Sequence, residues 1–254
     1  MNSSLEVLFA PAEFAALKQR DLSQTTCVVF DILRATTSMI TALANGAREI
    51  IPVGEIAEAL ALRAQQPEIL LAGERDGLRI RAAQTGSVDF DLGNSPREFT
   101  AERVRGKTIA ITTTNGTRAL RACAHAEMIW IASFLNLGVV AARLEHDRPV
   151  NLLLVCSGTI EQASFEDTLA TGALVDLLWA VYASGQVADS ATMARQIFQP
   201  WRNDLLGAMQ QASNGRKLLA NPDLRDDVEF CVRRDTVSLL ATLQKDGRVI
   251  SASR

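Results

Sequence analysis

Asp31-Ile32-Leu33-Arg34-Ala35-Thr36-Thr37 is the stretch on which the fold turns. Ahead of it, Cys27-Val28-Val29-Phe30 is a short apolar, β-branched run of the kind that forms a buried strand. Behind it, Ser38 to Ala44 reads as a helix ended by Asn45-Gly46. The spacing therefore predicts a carboxylate at the carboxyl end of a strand, then a guanidinium and the hydroxyls of Thr36 and Thr37 at the start of a helix. Open α/β sheets place their ligands there, and a helix start offers unpaired N–H groups to an anion. Arg34 adds a fork suited to phosphate or carboxylate. The plain alternative makes Asp31 a helix cap and Arg34 a surface residue.

Outward from this unit the chain alternates. Strands are expected at Leu5 to Phe9, Glu49 to Val53, Ile69 to Ala72, Lys107 to Ile111, Met128 to Ile131 and Val150 to Val155. Helices are expected from Pro11 to about Arg20, Ile56 to Gln65, around Ala119 to Cys123, up to about Glu145 and from Phe165 to Ala183. Residues Ser190 to Ala220 read as helical with breaks at Pro200 and Asn214-Gly215, and the tail reads as a hairpin turning through Asp246-Gly247. From Gly73 to Pro96 no periodicity shows, and so long a connection is usually functional. Alternating strands and helices imply an α/β protein: a three-layer α/β/α fold on a mostly parallel sheet, made mixed by the hairpin. A single domain over residues 1–254 is expected. Val28 to Val53 and Ile109 to Ala132 echo each other weakly, which generic βαβ grammar explains more readily than two similar halves.

Composition narrows the function classes. Of 254 residues 48 % are hydrophobic and 22 % charged, with a net charge of −3 and no basic block, so nucleic acid is not an expected partner. No apolar run approaches the ~20 residues of a membrane span. The first residues lack the basic start and apolar core of a signal peptide. The four cysteines stand singly in apolar surroundings, as buried thiols of a cytoplasmic protein do.

Several tempting motifs fail on inspection. Gly106-Lys107-Thr108 has Ala101 where a P-loop needs its first glycine, and it leads into a strand. Cys156 lacks an arginine six residues on, where Gln162 stands. Asp31 is followed two residues later by Leu33, not the second aspartate of an aspartate-dependent phosphatase. His125 and His146 are the only histidines, and both fall away from the polar strand ends. What remains is rich in oxygen: Asp31, Glu74, Asp91, Glu166 and Asp167 fall at strand ends, loops or helix starts, a donor set suited to Mg²⁺. Thr112 to Thr117, between a strand and a helix, has hydroxyls and backbone N–H groups able to surround phosphate oxygens.

Taken in order, Asp31-Ile-Leu-Arg-Ala-Thr-Thr, Gly73-Glu-Arg, Asp91-Leu-Gly-Asn-Ser-Pro, Thr112-Thr-Thr-Asn-Gly-Thr, Ser133-Phe-Leu-Asn and Cys156-Ser-Gly-Thr with Glu166-Asp167 resemble the 2-phosphosulfolactate phosphatases, and Asp227-Val-Glu-Phe-Cys231 adds a weaker match. The resemblance implies a Mg²⁺-dependent acid phosphatase that converts 2-phospho-3-sulfolactate to 3-sulfolactate on a three-layer α/β/α fold, in coenzyme M synthesis. Arg81 to Asp89 and Ile160 to Ala163 depart from the family pattern beside the expected site.

The expectation is thus metal-assisted hydrolysis of a small phosphorylated acid. Asp31 and Arg34 are the expected catalytic residues. Substrate contacts are expected from Thr36, Arg75, Asn94, Ser95, Thr113, Thr114, Asn115 and Gly116. Asp31, Glu166 and Asp167, then Glu74 and Asp91, are the candidate Mg²⁺ ligands. Asp31 would form a phosphoaspartyl intermediate or serve attack by a metal-bound water. Arg75 is expected to point over the crevice and hold the sulfonate or carboxylate. The rival expectation is a non-catalytic binding protein for a small phosphorylated or sulfonated acid. A homo-oligomer is left open.

Overall fold

The computed structural model describes residues 3–252. Its strands are β1 (Ser4–Leu8), β2 (Thr25–Phe30), β3 (Glu49–Pro52), β4 (Leu70–Arg75), β5 (Leu78–Arg79), β6 (Thr108–Thr112), β7 (Met128–Ala132), β8 (Asn151–Cys156), β9 (Gln186–Val187), β10 (Leu240–Leu243) and β11 (Val249–Ala252). They form one sheet of eleven strands in the order β5-β4-β6-β3-β11-β10-β7-β2-β8-β1-β9. β4, β6 and β3 run parallel, as do β7, β2, β8, β1 and β9. The hairpin β10–β11 joins the two blocks by antiparallel pairing on both its sides. Helices cover both faces, giving a three-layer α/β/α architecture.

Strand alternation sorts the side chains. Val28 and Phe30 belong to one core, with the helices Leu137–Asp147 and Phe165–Tyr182; Cys27 and Val29 belong to another. That second core draws on both blocks: Val29, Ile131 and Val155 from one, Ile50, Ile109 and Ile111 from the other. Between them lies the helix Ala35–Ala44, buried at nine of its ten positions. Ile80, Leu71, Ala110 and Phe90 make a smaller core on the far face of the β4-β6-β3 block.

The strand order reads as a near palindrome about the hairpin, with β6 matched by β2, β3 by β7 and β4 by β8. The two blocks therefore run in opposite senses. Right-handed twist makes such a sheet a saddle, whose diagonally opposite corners rise on the same face. The carboxyl ends of β2 and β6 lie toward two such corners, each with further strands outside it. Four strands separate β2 from β6 in the sheet, yet a Cβ built on Gly116, just past β6, would stand 2.7 Å from Asp31 Oδ2, just past β2.

The expected elements recur with local changes. The segment after Pro11 starts as a 3₁₀ turn and its α-helix ends at Leu17. The stretch read as loop holds the β4–β5 turn and a short helix, Ala82–Thr85. Asn214-Gly215 does not break a helix. The break is Ala212, and Gly215 is needed because a Cβ there would sit 2.0 Å from the Met209 carbonyl oxygen. The helix Arg225–Cys231 was not anticipated. Among the described residues no helix is long and apolar enough to cross a membrane.

Candidate active site

The raised corners meet in a pocket of about 350 Å³ lined by Asp31, Arg34, Glu74, Asn94, Thr113, Thr114, Asn115, Glu166 and Asp167 among others. Asp31 is 7 % exposed and is set from its own helix start. Oδ1 accepts the Ala35 N–H at 3.0 Å. The Thr36 hydroxyl accepts the Asp31 N–H and donates to the Asp31 carbonyl, each at 3.0 Å. Thr36 is thus fully buried under Asp31, shaping the backbone and not the pocket wall.

Asp167 approaches from the first turn of the helix Phe165–Tyr182. Its Oδ1 accepts the Ile32 N–H at 2.8 Å; its Oδ2 accepts the Ser157 hydroxyl at 3.0 Å and the Gly158 N–H at 3.1 Å. Glu166 beside it is 2 % exposed. Asn214 donates to Oε1 at 2.6 Å, whereas Oε2 is buried with no partner. Burial first, then the charge of Asp167, push the Asp31 carboxyl up to about 7. Burial, then Glu166, do the same to Asp167. Burial also raises Glu166. The group is poised to take up protons or a cation. Among the described residues no three Asp, Glu, His or Cys side chains converge closely enough to hold a metal by themselves.

Glu74 lies in the pocket wall with both oxygens engaged. Oε1 accepts the Thr114 N–H and hydroxyl at 2.9 and 3.0 Å, and Oε2 accepts the Gly77 N–H at 2.7 Å. Thr114 is thereby committed to Glu74. The Thr113 oxygen accepts from the Thr117 N–H at 3.3 Å, which leaves its own hydrogen free for a ligand. Asn115 accepts the Ile160 N–H at 3.2 Å through Oδ1, leaving its NH₂ free. Asn94 Oδ1 is buried without a partner.

Arg34 reaches the pocket from a site that is 3 % exposed. Nη1 donates to Asp227 Oδ2 and Nη2 to the Gly77 carbonyl, each at 2.6 Å. Ser95 does not line the pocket; its hydroxyl donates to the other Asp227 oxygen at 2.6 Å, beside Arg97 Nε at 2.8 Å. Asp227 is therefore a member of the site that sequence reasoning left out of its candidates. Its only signal was the weaker motif match.

Besides Thr36 and Ser95, the expected residues Arg75 and Asp91 lie off the pocket. Arg75 follows Glu74 on β4, so it points to the opposite face. There it donates to the Glu74 carbonyl at 2.7 Å and to Thr112 Oγ1 at 3.1 Å, on the side of Leu71 and Ala110. Asp91 is set back along the sheet. Leu92 bridges to Ala72, so Asp91 is level with Leu71, whose N–H it accepts at 2.7 Å while pairing with Arg63. Asn94 is then level with Glu74. Three residues of extended chain separate the two levels by about 10 Å.

The 2-phosphosulpholactate phosphatase family model matches residues 13–246. A probable 2-phosphosulfolactate phosphatase of Caldanaerobacter subterraneus subsp. tengcongensis is 36 % identical over 238 residues, covering 93 % of this chain and 94 % of that one. One from Symbiobacterium thermophilum is 36 % identical over 235 residues, 91 % of this chain and 95 % of the relative. One from Gloeobacter violaceus reaches 39 % over 215 residues, 84 % and 86 % of the two chains. With this coverage and the carboxylates and threonines of its motifs gathered at one pocket, the chain belongs to the 2-phosphosulfolactate phosphatase family.

Proposed function

We propose that the protein hydrolyses 2-phospho-3-sulfolactate to 3-sulfolactate and phosphate with Mg²⁺ as cofactor, acting as a cytoplasmic enzyme of coenzyme M synthesis. Family membership supports the phosphatase and its substrate. One observation of this chain carries the metal-assisted reading: Glu166 Oε2 is buried and unpartnered beside two carboxyls whose pKa values burial has raised to about 7.

These residues fit a hard cation. Asp31 and Glu166 would hold Mg²⁺, with Asp167 bracing them through its contacts to Ile32, Ser157 and Gly158. Two carboxylates leave the rest of the shell to water and substrate phosphate, the usual habit of this ion. When bound, Mg²⁺ neutralises phosphoryl oxygens and orients the attacking group.

The chain's own groups do the rest. The Thr113 hydroxyl and the Asn115 NH₂ donate to phosphoryl oxygens. Arg34 turns its remaining N–H groups on the charge that develops in transfer. Asp31, beside the Gly116 turn, either attacks phosphorus as the bond to the sulfolactate oxygen breaks and that oxygen takes a proton from water, a second water then releasing phosphate from Asp31, or holds the water that displaces the sulfolactate oxygen in one step. The test is phosphate release from 2-phosphosulfolactate by chelator-stripped protein, with and without added Mg²⁺. Release only with metal is expected. Release by stripped protein refutes the metal, and binding without release in either condition makes the protein a binder.

A further inference from the structure

An anionic substrate meets an acidic pocket here, and the phosphate cradle explains only half of its capture. Among the described residues the lining carries Asp31, Glu74, Asp76, Glu166 and Asp167 but only two cations, Arg34 and Lys217. Arg34 is buried, ion-paired with Asp227 and hydrogen-bonded to Gly77. Arg75 is on the other face of the sheet. Lys217 is exposed and, among the described residues, makes no ion pair.

Its position is built. Asn214, Lys217, Leu218 and Asn221 all line the pocket; the first three share one face of the helix Ser213–Leu219, and Asn221 follows from the turn just past its end. Asn214 anchors that face, donating to Glu166 Oε1 at 2.6 Å and to Thr159 Oγ1 at 2.7 Å. Lys217 stands one turn further on along the same helix and lines the pocket. Its four-carbon stem lets the ammonium follow a ligand. The Asn221 oxygen accepts the Asp223 N–H at 3.0 Å, so its NH₂ remains available beside the ammonium.

We propose that Lys217, assisted by Asn221, binds the second acidic group of the substrate, a sulfonate or carboxylate remote from the phosphate, and so selects phosphorylated acids over simple phosphate esters. The inference rests on the phosphatase reading above and adds the residue that sets its selectivity.

Kinetics on 2-phosphosulfolactate and on 2-phospholactate, which lacks the sulfonate, test it in wild type, Lys217→Gln and Lys217→Arg. Lys217→Gln is expected to lower kcat/KM on 2-phosphosulfolactate about tenfold, chiefly through KM, the low end for a charged hydrogen bond. Lys217→Arg should recover most of the loss. A loss confined to 2-phosphosulfolactate identifies the sulfonate as the group held; a similar loss on both identifies the carboxylate. If wild type hydrolyses neither compound, the proposed function fails, and calorimetric binding of the same two compounds still reads Lys217. Unchanged kinetics, unchanged affinity or no binding at all overturns the assignment.

Discussion

Asp227 and Arg34, 193 residues apart in the chain, form a fully buried ion pair at 2.6 Å. The pair fastens the helix Arg225–Cys231 to the turn after β2, and Ser95 and Arg97 complete the carboxylate's partners. Removing one member of a buried pair leaves the other uncompensated, at a cost of about 3–5 kcal/mol. Asp227→Asn is therefore expected to lower Tm by several degrees. It should also cut kcat more than it raises KM if Arg34 acts on transfer as proposed. Equal kinetics in the variant and wild type, after correction for folded fraction, would return Asp227 to a purely structural role.

Asp31→Asn separates catalysis from folding. The change is nearly isosteric, and Asn keeps an oxygen for the Ala35 N–H. Turnover should fall ~10³-fold or more if Asp31 is nucleophile or ligand. Metal-free Asp31→Asn should be more stable than metal-free wild type at pH 8, since a charge crowded by Asp167 and Glu74 has gone. Near-normal turnover in the variant would make Asp31 a helix cap only.

The raised carboxyls set the pH dependence of the metal-free protein. Asp31 and Asp167 titrate near 7 folded, above the usual 3.8. The folded chain then binds more protons than the unfolded chain between those values, so stability is greatest below about 4 for these groups and is lost as pH rises through 7. Thermal melts of stripped protein should show Tm falling from pH 5 to 8 through these groups. The gain in Tm on adding Mg²⁺ should widen over the same interval, and a gain that is flat with pH would separate the ion from these carboxyls.

Gly116→Ala tests how closely the two corners approach. The new Cβ would meet Asp31 Oδ2 at 2.7 Å and Ala35 Cβ at 2.6 Å. Overpacking of this kind costs about 1–3 kcal/mol, and displacing a catalytic carboxylate by an ångström costs up to roughly 10² in rate. Activity should therefore fall far more than Tm does. Arg75→Ala, by contrast, should change 2-phosphosulfolactate and a simple aryl phosphate equally, since its partners are Glu74 and Thr112 across the sheet.

What could be read from sequence follows from how local each signal is. Asp31, Thr113 and Asn115 each stand where an apolar strand gives way to a polar helix start, and strand and helix patterns show that directly. Arg75 was misassigned against a rule the sequence already carries: neighbours on a strand face opposite ways, so Glu74 and Arg75 cannot share a pocket. Asp91 needed the Leu92–Ala72 register, which no local pattern encodes. Asp227, Asn214 and Lys217 arrive on helices distant in sequence, each brought by long-range packing. The hairpin was legible as a hairpin, but its seat between β3 and β7 depends on both blocks at once.

That seat orders events during synthesis. β3 and β7 leave the ribosome well before β10 and β11, the strands that cover their inner edges. Until then each block carries a bare parallel-sheet edge able to pair with another chain. The core shared by the two blocks, with the helix Ala35–Ala44 in it, already draws Asp31 and Gly116 toward each other, but no strand yet joins the blocks. The docked hairpin thus closes the sheet between the two halves of the candidate pocket, and a nascent chain stalled short of residue 240 would hold those halves together by the shared core alone.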